Sequence, residues 1–252
     1  VVPSRIQRTD QRTAALTAGI ALIVMSLAAF FSYGYVHGSL VVQGDAGLTF
    51  QAVTSSRTLF KAEILGWVVI LICDIVVAWA FHIFLKPIHP DLSLLGAWFR
   101  LAYTAVLGTA LLNLLVVLLL SGRAGYLSVV DTGELHAFMM MHLEAFELIW
   151  SIGLIIFGGH LLIVGILAFK SDRIPKIIGI FLWLASIGYM VIHLCKTFLP
   201  DNETLAMLLH VIFMIPMVVG ELGFGVWLLA RGGRARSKTR ILLKSYPASP
   251  DS

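Results

Sequence analysis

A chain of 252 residues with 59% apolar and only 13% charged side chains cannot clothe a water-facing surface, since soluble domains run at about 45–50% and 25%. A mean hydropathy of +0.93 excludes intrinsic disorder, and two cysteines, Cys73 and Cys195, exclude a disulfide scaffold. With a net charge of +4, the composition is that of an integral membrane protein.

Six stretches reach the roughly 20 mostly apolar residues that a helix needs to cross the hydrocarbon core. In chain order the spans run over approximately 13–36, 62–85, 93–120, 138–169, 174–198 and 205–230. The first exceeds the h-region of a signal peptide and has no small-residue cleavage site at Phe30-Phe31-Ser32-Tyr33, so it reads as a retained span. The initial Val is compatible with processing and with an unusual start codon alike. Gly44 to Thr58 is too short and polar to span and reads as a loop, with room for a short interfacial helix. Lys86-Pro87, His89-Pro90-Asp91, Gly122 to Gly125, Ser171-Asp172 and Pro200-Asp201-Asn202 separate the later spans. Pro216 frees a backbone carbonyl near Ile212, and with Gly220, Gly223 and Gly225 it predicts a kinked, closely packed last helix. The alternating pattern of a membrane barrel is absent, and no repeat suggests inverted-repeat transport. The expected fold is an all-α polytopic bundle of six transmembrane helices, a single membrane domain over 1–252.

Lys and Arg fall unevenly across these spans. Arg5, Arg8, Arg12, Lys86, Lys170, Arg173, Lys176 and the 231–252 tail share one side, against Arg57, Lys61, Arg123 and Lys196 on the other. The positive-inside rule then places both termini in the cytoplasm. The basic tail from Arg231 to Lys244 directly follows a span, so it reads as an anchor for anionic lipid and not as a nucleic-acid patch.

The informative residues are those that lipid disfavours, because ionised side chains inside a bilayer normally face one another or water. They are Glu63, Asp74 and His82 on the second span, Arg100 and Asn113 on the third, and His142, Glu144, Glu147 and His160 on the fourth. The fifth carries His193, and the sixth His210 and Glu221. At about 100° per residue, positions eleven apart share a face to within about 20° and positions eighteen apart coincide. Glu63 pairs in this way with Asp74, His210 with Glu221, and His142 with His160.

Depth sorts these residues into two storeys. Asp74, Arg100, His160 and Glu221 fall near the midplane or in the cytoplasmic half. Arg100 is effectively always charged, with Asp74 and Glu221 as its candidate partners. The set reads either as a buried ion pair or triad that fixes packing, or as an anion or proton relay that includes His160.

His142, His193 and His210 come from three helices at similar depth in the outer half. Three imidazoles could form the shell of a transition metal, with Glu144, Glu147 and His136 as further ligands. Two facing histidines could instead hold a b-type haem; because His160 lacks a second histidine at its level except His82, one outer haem fits better than two. The plain alternative is histidines bonded to neighbours or water. Met139, Met140, Met141, Met207 and Met214 read as gap-filling packing, and the cysteines as small buried residues.

Several segments together resemble one known family. These are Cys73-Asp74-Ile75 leading to Leu85-Lys86-Pro87, Phe99-Arg100-Leu101, Phe157-Gly158-Gly159-His160 and Arg173-Ile174-Pro175-Lys176-Ile177-Ile178-Gly179. Gly188-Tyr189 and Gly220-Glu221-Leu222 continuing to Trp227-Leu228-Leu229 complete the set. Over nearly the whole chain the sequence resembles the uncharacterised prokaryotic membrane family called domain of unknown function 4386. The resemblance implies a multi-span bundle in a prokaryotic plasma (inner) membrane, with recurring positions equivalent to Asp74, Arg100, His160 and Glu221. It implies no reaction or ligand, and His142, His193 and His210 are not part of the pattern.

Three functions follow as expectations. The first is a metal- or haem-binding protein of electron-transfer or oxidoreductase type. The second is a small-solute or proton-coupled carrier using the lower four residues. The third is an accessory subunit that packs with other membrane subunits and holds lipid or pigment.

Overall fold

The structure, a computed structural model, describes residues 10–122, 125–199 and 203–233. The basic tail expected over 231–252 therefore lies almost wholly outside the described residues, as do Arg5, Arg8 and Arg123. Among the described residues there are seven α-helical elements and a 3-10 turn at Gly125–Val129. They are α1 (Gln11–Leu40), α2 (Ala46–Ser55), α3 (Arg57–Leu85), α4 (Pro90–Leu120), α5 (Thr132–Lys170), α6 (Lys176–Phe198) and α7 (Glu203–Arg231). All but α2 are long and apolar enough to cross a membrane.

The sequence punctuates these helices with local caps. Asp10, Asp45 and Asp131 accept from Arg12, Leu48 and Gly133 amides at the starts of α1, α2 and α5, each satisfying a donor that the first turn leaves free. His89 caps α4 ahead of Pro90, where the missing N–H of proline is harmless. Between α5 and α6, Ser171 Oγ accepts from the Arg173 and Ile174 amides.

The spans pack in chain order around a ring, α1–α3–α4–α5–α6–α7, closed by contact of α7 with α1. α5 is the most enclosed of them. α2 caps the start of α5, with the Phe50 ring 4.5 Å from that of His136. The interior is apolar: Trp67, Phe60, Leu107, Leu114, Phe146 and Leu161 are among its fully buried side chains. Cys73 and Cys195 are half-buried free thiols.

Close backbone approach depends on glycine. A Cβ at Gly19 of α1 would stand 2.9 Å from the Gly225 carbonyl oxygen of α7, and Gly225 itself abuts Leu22. Arg12 strengthens that junction by donating to the carbonyls of Leu228, Leu229 and Gly232, among the last acceptors at a helix C-terminus. Residues 12 and 232 thus share one end of the bundle, called the terminal end below. Farther up, α7 leans on α6: Gly220 sits against the Phe181 backbone and Gly188 against Phe213. Phe30, Val211 and Met214 on the facing upper halves of α1 and α7 are exposed. A cleft thus opens above the Gly19–Gly225 junction.

Two departures from the sequence reading matter for function. α1 continues past 36 to Leu40, and its stretch Phe30–His37 is π-helical, a rare geometry that frequently occurs at functional sites. α5 begins at Thr132, about a turn and a half before the expected 138.

Candidate functional site

Arg100 is fully buried on α4, and its guanidinium gathers four other helices. Nε and Nη2 lie 2.8 and 2.7 Å from Asp74 Oδ1 on α3, and Nη2 is 3.1 Å from Glu221 Oε1 on α7. Nη1 is 3.2 Å from His160 Nε2 on α5. Nη2 also approaches Met25 Sδ of α1 at 3.6 Å, and the guanidinium carbon is 5.3 Å from the Phe157 ring centroid. The four residues expected in the lower storey do meet.

Their hydrogen bonds define the roles available to them. His160 Nδ1 is 2.8 Å from the Gly96 carbonyl oxygen, which only accepts, so Nδ1 carries the proton and bare Nε2 accepts from Arg100. Both ring nitrogens are committed, and this imidazole positions the guanidinium. The proton-exchangeable groups are Asp74 and Glu221. Two carboxylates face one guanidinium, and buried Asp74 Oδ2 has no hydrogen-bond partner among the described residues. The cluster therefore carries one more acidic group than it has cations.

A second polar cluster lies nearer the opposite end. His37 Nδ1 is 2.7 Å from Glu63 Oε1, and its Nε2 is 3.5 Å from Glu147 Oε1. Tyr33 donates to Glu147 Oε1 at 3.1 Å, and Lys196 pairs with Glu147 Oε2. Tyr33 and His37, both on the π-helical turn, stack with ring centroids 5.3 Å apart. His37 was missed because the expected span stopped at Val36. The apolar Leu40-Val41-Val42 beyond Gly38 was the signal that the helix runs on.

The outer histidines do not form the expected three-imidazole metal shell. His142 faces α4, with Nδ1 3.0 Å from Asn113 Oδ1. His193 faces α5, bonded to Ser151 Oγ at 2.8 Å. His210 is exposed, as is Glu144, while Glu147 is taken up by Tyr33, His37 and Lys196. Similar depth did not bring all three together: His193 and His210 both border the central cavity, whereas His142 does not. Among the described residues, no group of three or more His, Cys, Asp and Glu side chains is placed to hold a metal ion. The same-face arithmetic for α5 does hold, since His142 and His160 both contact α4.

Between the two polar clusters lies a cavity of about 660 Å³. Asp74 and Glu221 line one end, Glu147 and Lys196 the other, and Trp67, Tyr103, Trp150, Phe157 and Tyr189 line the middle. The rings of Trp67 and Tyr33 stand 4.9 and 4.8 Å from that of Trp150. Trp67 Nε1 is buried without a partner. Ser26, Ala29 and Phe30 of α1 and Val211, Met214 and Val218 of α7 border the cavity along the cleft. A second recess of about 530 Å³, also touched by Glu147 and Lys196, lies on the far side of His37.

The family described as Domain of unknown function (DUF4386) matches residues 17–232. An uncharacterized protein of Archaeoglobus fulgidus is 28% identical over 170 residues, covering 68% of this chain and 83% of that protein. No solved structure matches.

Proposed function

Because the chain belongs to the DUF4386 family, whose description assigns no activity, we propose a function from the site itself: a proton-coupled carrier of a small solute. The observation that supports this reading most is the acidic surplus at the cavity floor. Asp74 and Glu221 share Arg100, and an unbalanced charge is costly in a membrane interior. A proton on either carboxylate removes the imbalance, and so does a solute that contributes one positive charge. Occupancy by one then opposes occupancy by the other, which is the coupling a carrier requires.

The two ends of the cavity differ in a way that suits this cycle. Toward the terminal end, the Arg100 cluster and the Phe81 and Phe224 rings close the floor. Toward the other end, Glu147 and Lys196 alone among the described liners touch both the cavity and the recess beyond. Parting that single pair would join the two spaces. In this reading both termini are cytoplasmic and the membrane is a prokaryotic plasma membrane.

The test uses liposomes holding the purified protein, an entrapped pH dye and an imposed pH gradient. Panels of amine, carboxylate and neutral solutes are added in turn. At least one class is expected to dissipate the gradient with wild type and fail with Asp74→Asn/Glu221→Gln. Proton movement that is the same with and without every class would overturn the carrier reading.

A further inference from the structure

We infer that the solute is a hydrophobic organic cation bearing a single positive charge, drawn from the bilayer through the cleft between α1 and α7. The inference rests on the reading of the central cavity as the solute site and adds to it a charge, a surface character and a route.

Charge comes first. The floor holds two carboxylates against one guanidinium, and the spare oxygen, Asp74 Oδ2, is buried with no donor. An anionic solute would add to an existing surplus, whereas one positive charge cancels it. The walls select for bulk and apolarity: Trp67, Tyr103, Trp150 and Phe157 surround the middle of the cavity, and aromatic faces attract a cation within about 6 Å of a ring centroid. At about 660 Å³ the space falls in the range of about 300–1,000 Å³ that takes a drug-sized molecule. Trp67 Nε1, unpartnered on the same helix face seven residues from Asp74, offers a donor to an ether or carbonyl oxygen on the solute.

The route follows from the helix pair that borders the cavity. α1 and α7 are held together near the terminal end by Gly19 against Gly225 and by Arg12 on the last carbonyls of α7. Above that junction Phe30, Val211 and Met214 border the cleft and are exposed, with Ser26 and His210 as the polar residues that these two helices add at the same opening. In a bilayer that cleft would meet acyl chains, so a molecule that partitions into lipid reaches the carboxylates without crossing water.

The probes are tetraphenylphosphonium and tetraphenylborate, which share one shape and carry opposite charge. The protein is held in lipid nanodiscs, with empty discs as blank, and Trp67 and Trp150 report binding through tryptophan fluorescence. Tetraphenylphosphonium is expected to quench saturably and tetraphenylborate to bind at least tenfold more weakly. Tetramethylammonium, which carries the charge without the lipid affinity, is expected to bind at least tenfold more weakly too. Asp74→Asn is expected to weaken tetraphenylphosphonium at least tenfold; Glu221→Gln is a second variant should the first fold poorly, and the wild-type comparison needs neither. Equal binding of the two isosteric ions, no saturable binding of the phosphonium, or unchanged affinity in both variants would each overturn the inference. Failure here is distinct from failure of the carrier reading. Phosphonium binding without proton release would sink proton coupling and leave the cation assignment standing. Gradient collapse driven only by anions or neutral solutes would do the reverse.

Discussion

Replacing Arg100 by Met keeps most of the side-chain volume and removes the charge. It leaves Asp74 and Glu221 facing each other without the donors at 2.7–3.1 Å that hold them, and it frees His160 Nε2. Stripping one partner from a buried ionic cluster costs about 3–5 kcal/mol. Asp74→Asn acts on the other side of the count. It loses a charge-assisted hydrogen bond, about 1.5–3 kcal/mol, and it also removes the surplus buried charge, whose desolvation costs several kcal/mol per ion. The two nearly offset, so Asp74→Asn is expected within about 1 kcal/mol of wild type. In the double variant the neutral amide replacing the Asp74 carboxylate no longer repels Glu221, and about 2–3 kcal/mol of the Arg100→Met loss should return, in the range of coupling found between contacting residues. Unfolding in mixed micelles with increasing SDS, followed by tryptophan fluorescence, gives all four stabilities. An Asp74→Asn variant as unstable as Arg100→Met, or a double variant additive to within about 0.5 kcal/mol, would refute the charge count.

The other expectations concern the second cluster and the outer histidines. His37→Leu should lower stability by about 3–5 kcal/mol, because it strands the buried Glu63 carboxylate, whose other oxygen already lacks a partner; adding Glu63→Leu should restore most of it. A thermal melt of His37→Leu that matches wild type would remove this contact from the account. His142→Ala and His193→Ala share no partner, so their effects on the same melts should add to within about 0.3–0.5 kcal/mol. Strong coupling between them would point to a common ligand.

The lower cluster was legible because it depends on quantities that a sequence carries directly. Asp74 and Arg100 lie at matching distances from the Lys86–His89 turn, and the eleven-residue spacing from Glu63 to Asp74 places both carboxylates inward. Helical arithmetic failed in two places, for different reasons. In α1 the π-helical turn breaks the 100° rule, so neither the span end nor the inward direction of His37 followed from spacing. In the outer half, depth could be counted but rotation of each helix against its neighbours could not. His142 turned to Asn113, while His193, bonded to Ser151, and the exposed His210 both border the central cavity. That rotation is set by packing, such as Gly158 against Ser186 and Gly188 against Phe213, which emerges only when the helices are assembled. The loop expected over 44–58 formed the short helix α2, for which the polar stretch had left room.

The order in which the floor's charges occur along the chain bears on how such a protein enters a membrane during synthesis. Asp74 and Arg100 belong to consecutive spans joined by a tight turn and meet at one level, so that hairpin can leave the translocon as a neutral pair. α5 then supplies His160, whose bonding leaves it uncharged. Glu221 is made last, on the span whose final carbonyls Arg12 clasps. The odd carboxylate thus arrives only when the guanidinium that it shares with Asp74 and the surrounding walls have already been synthesised.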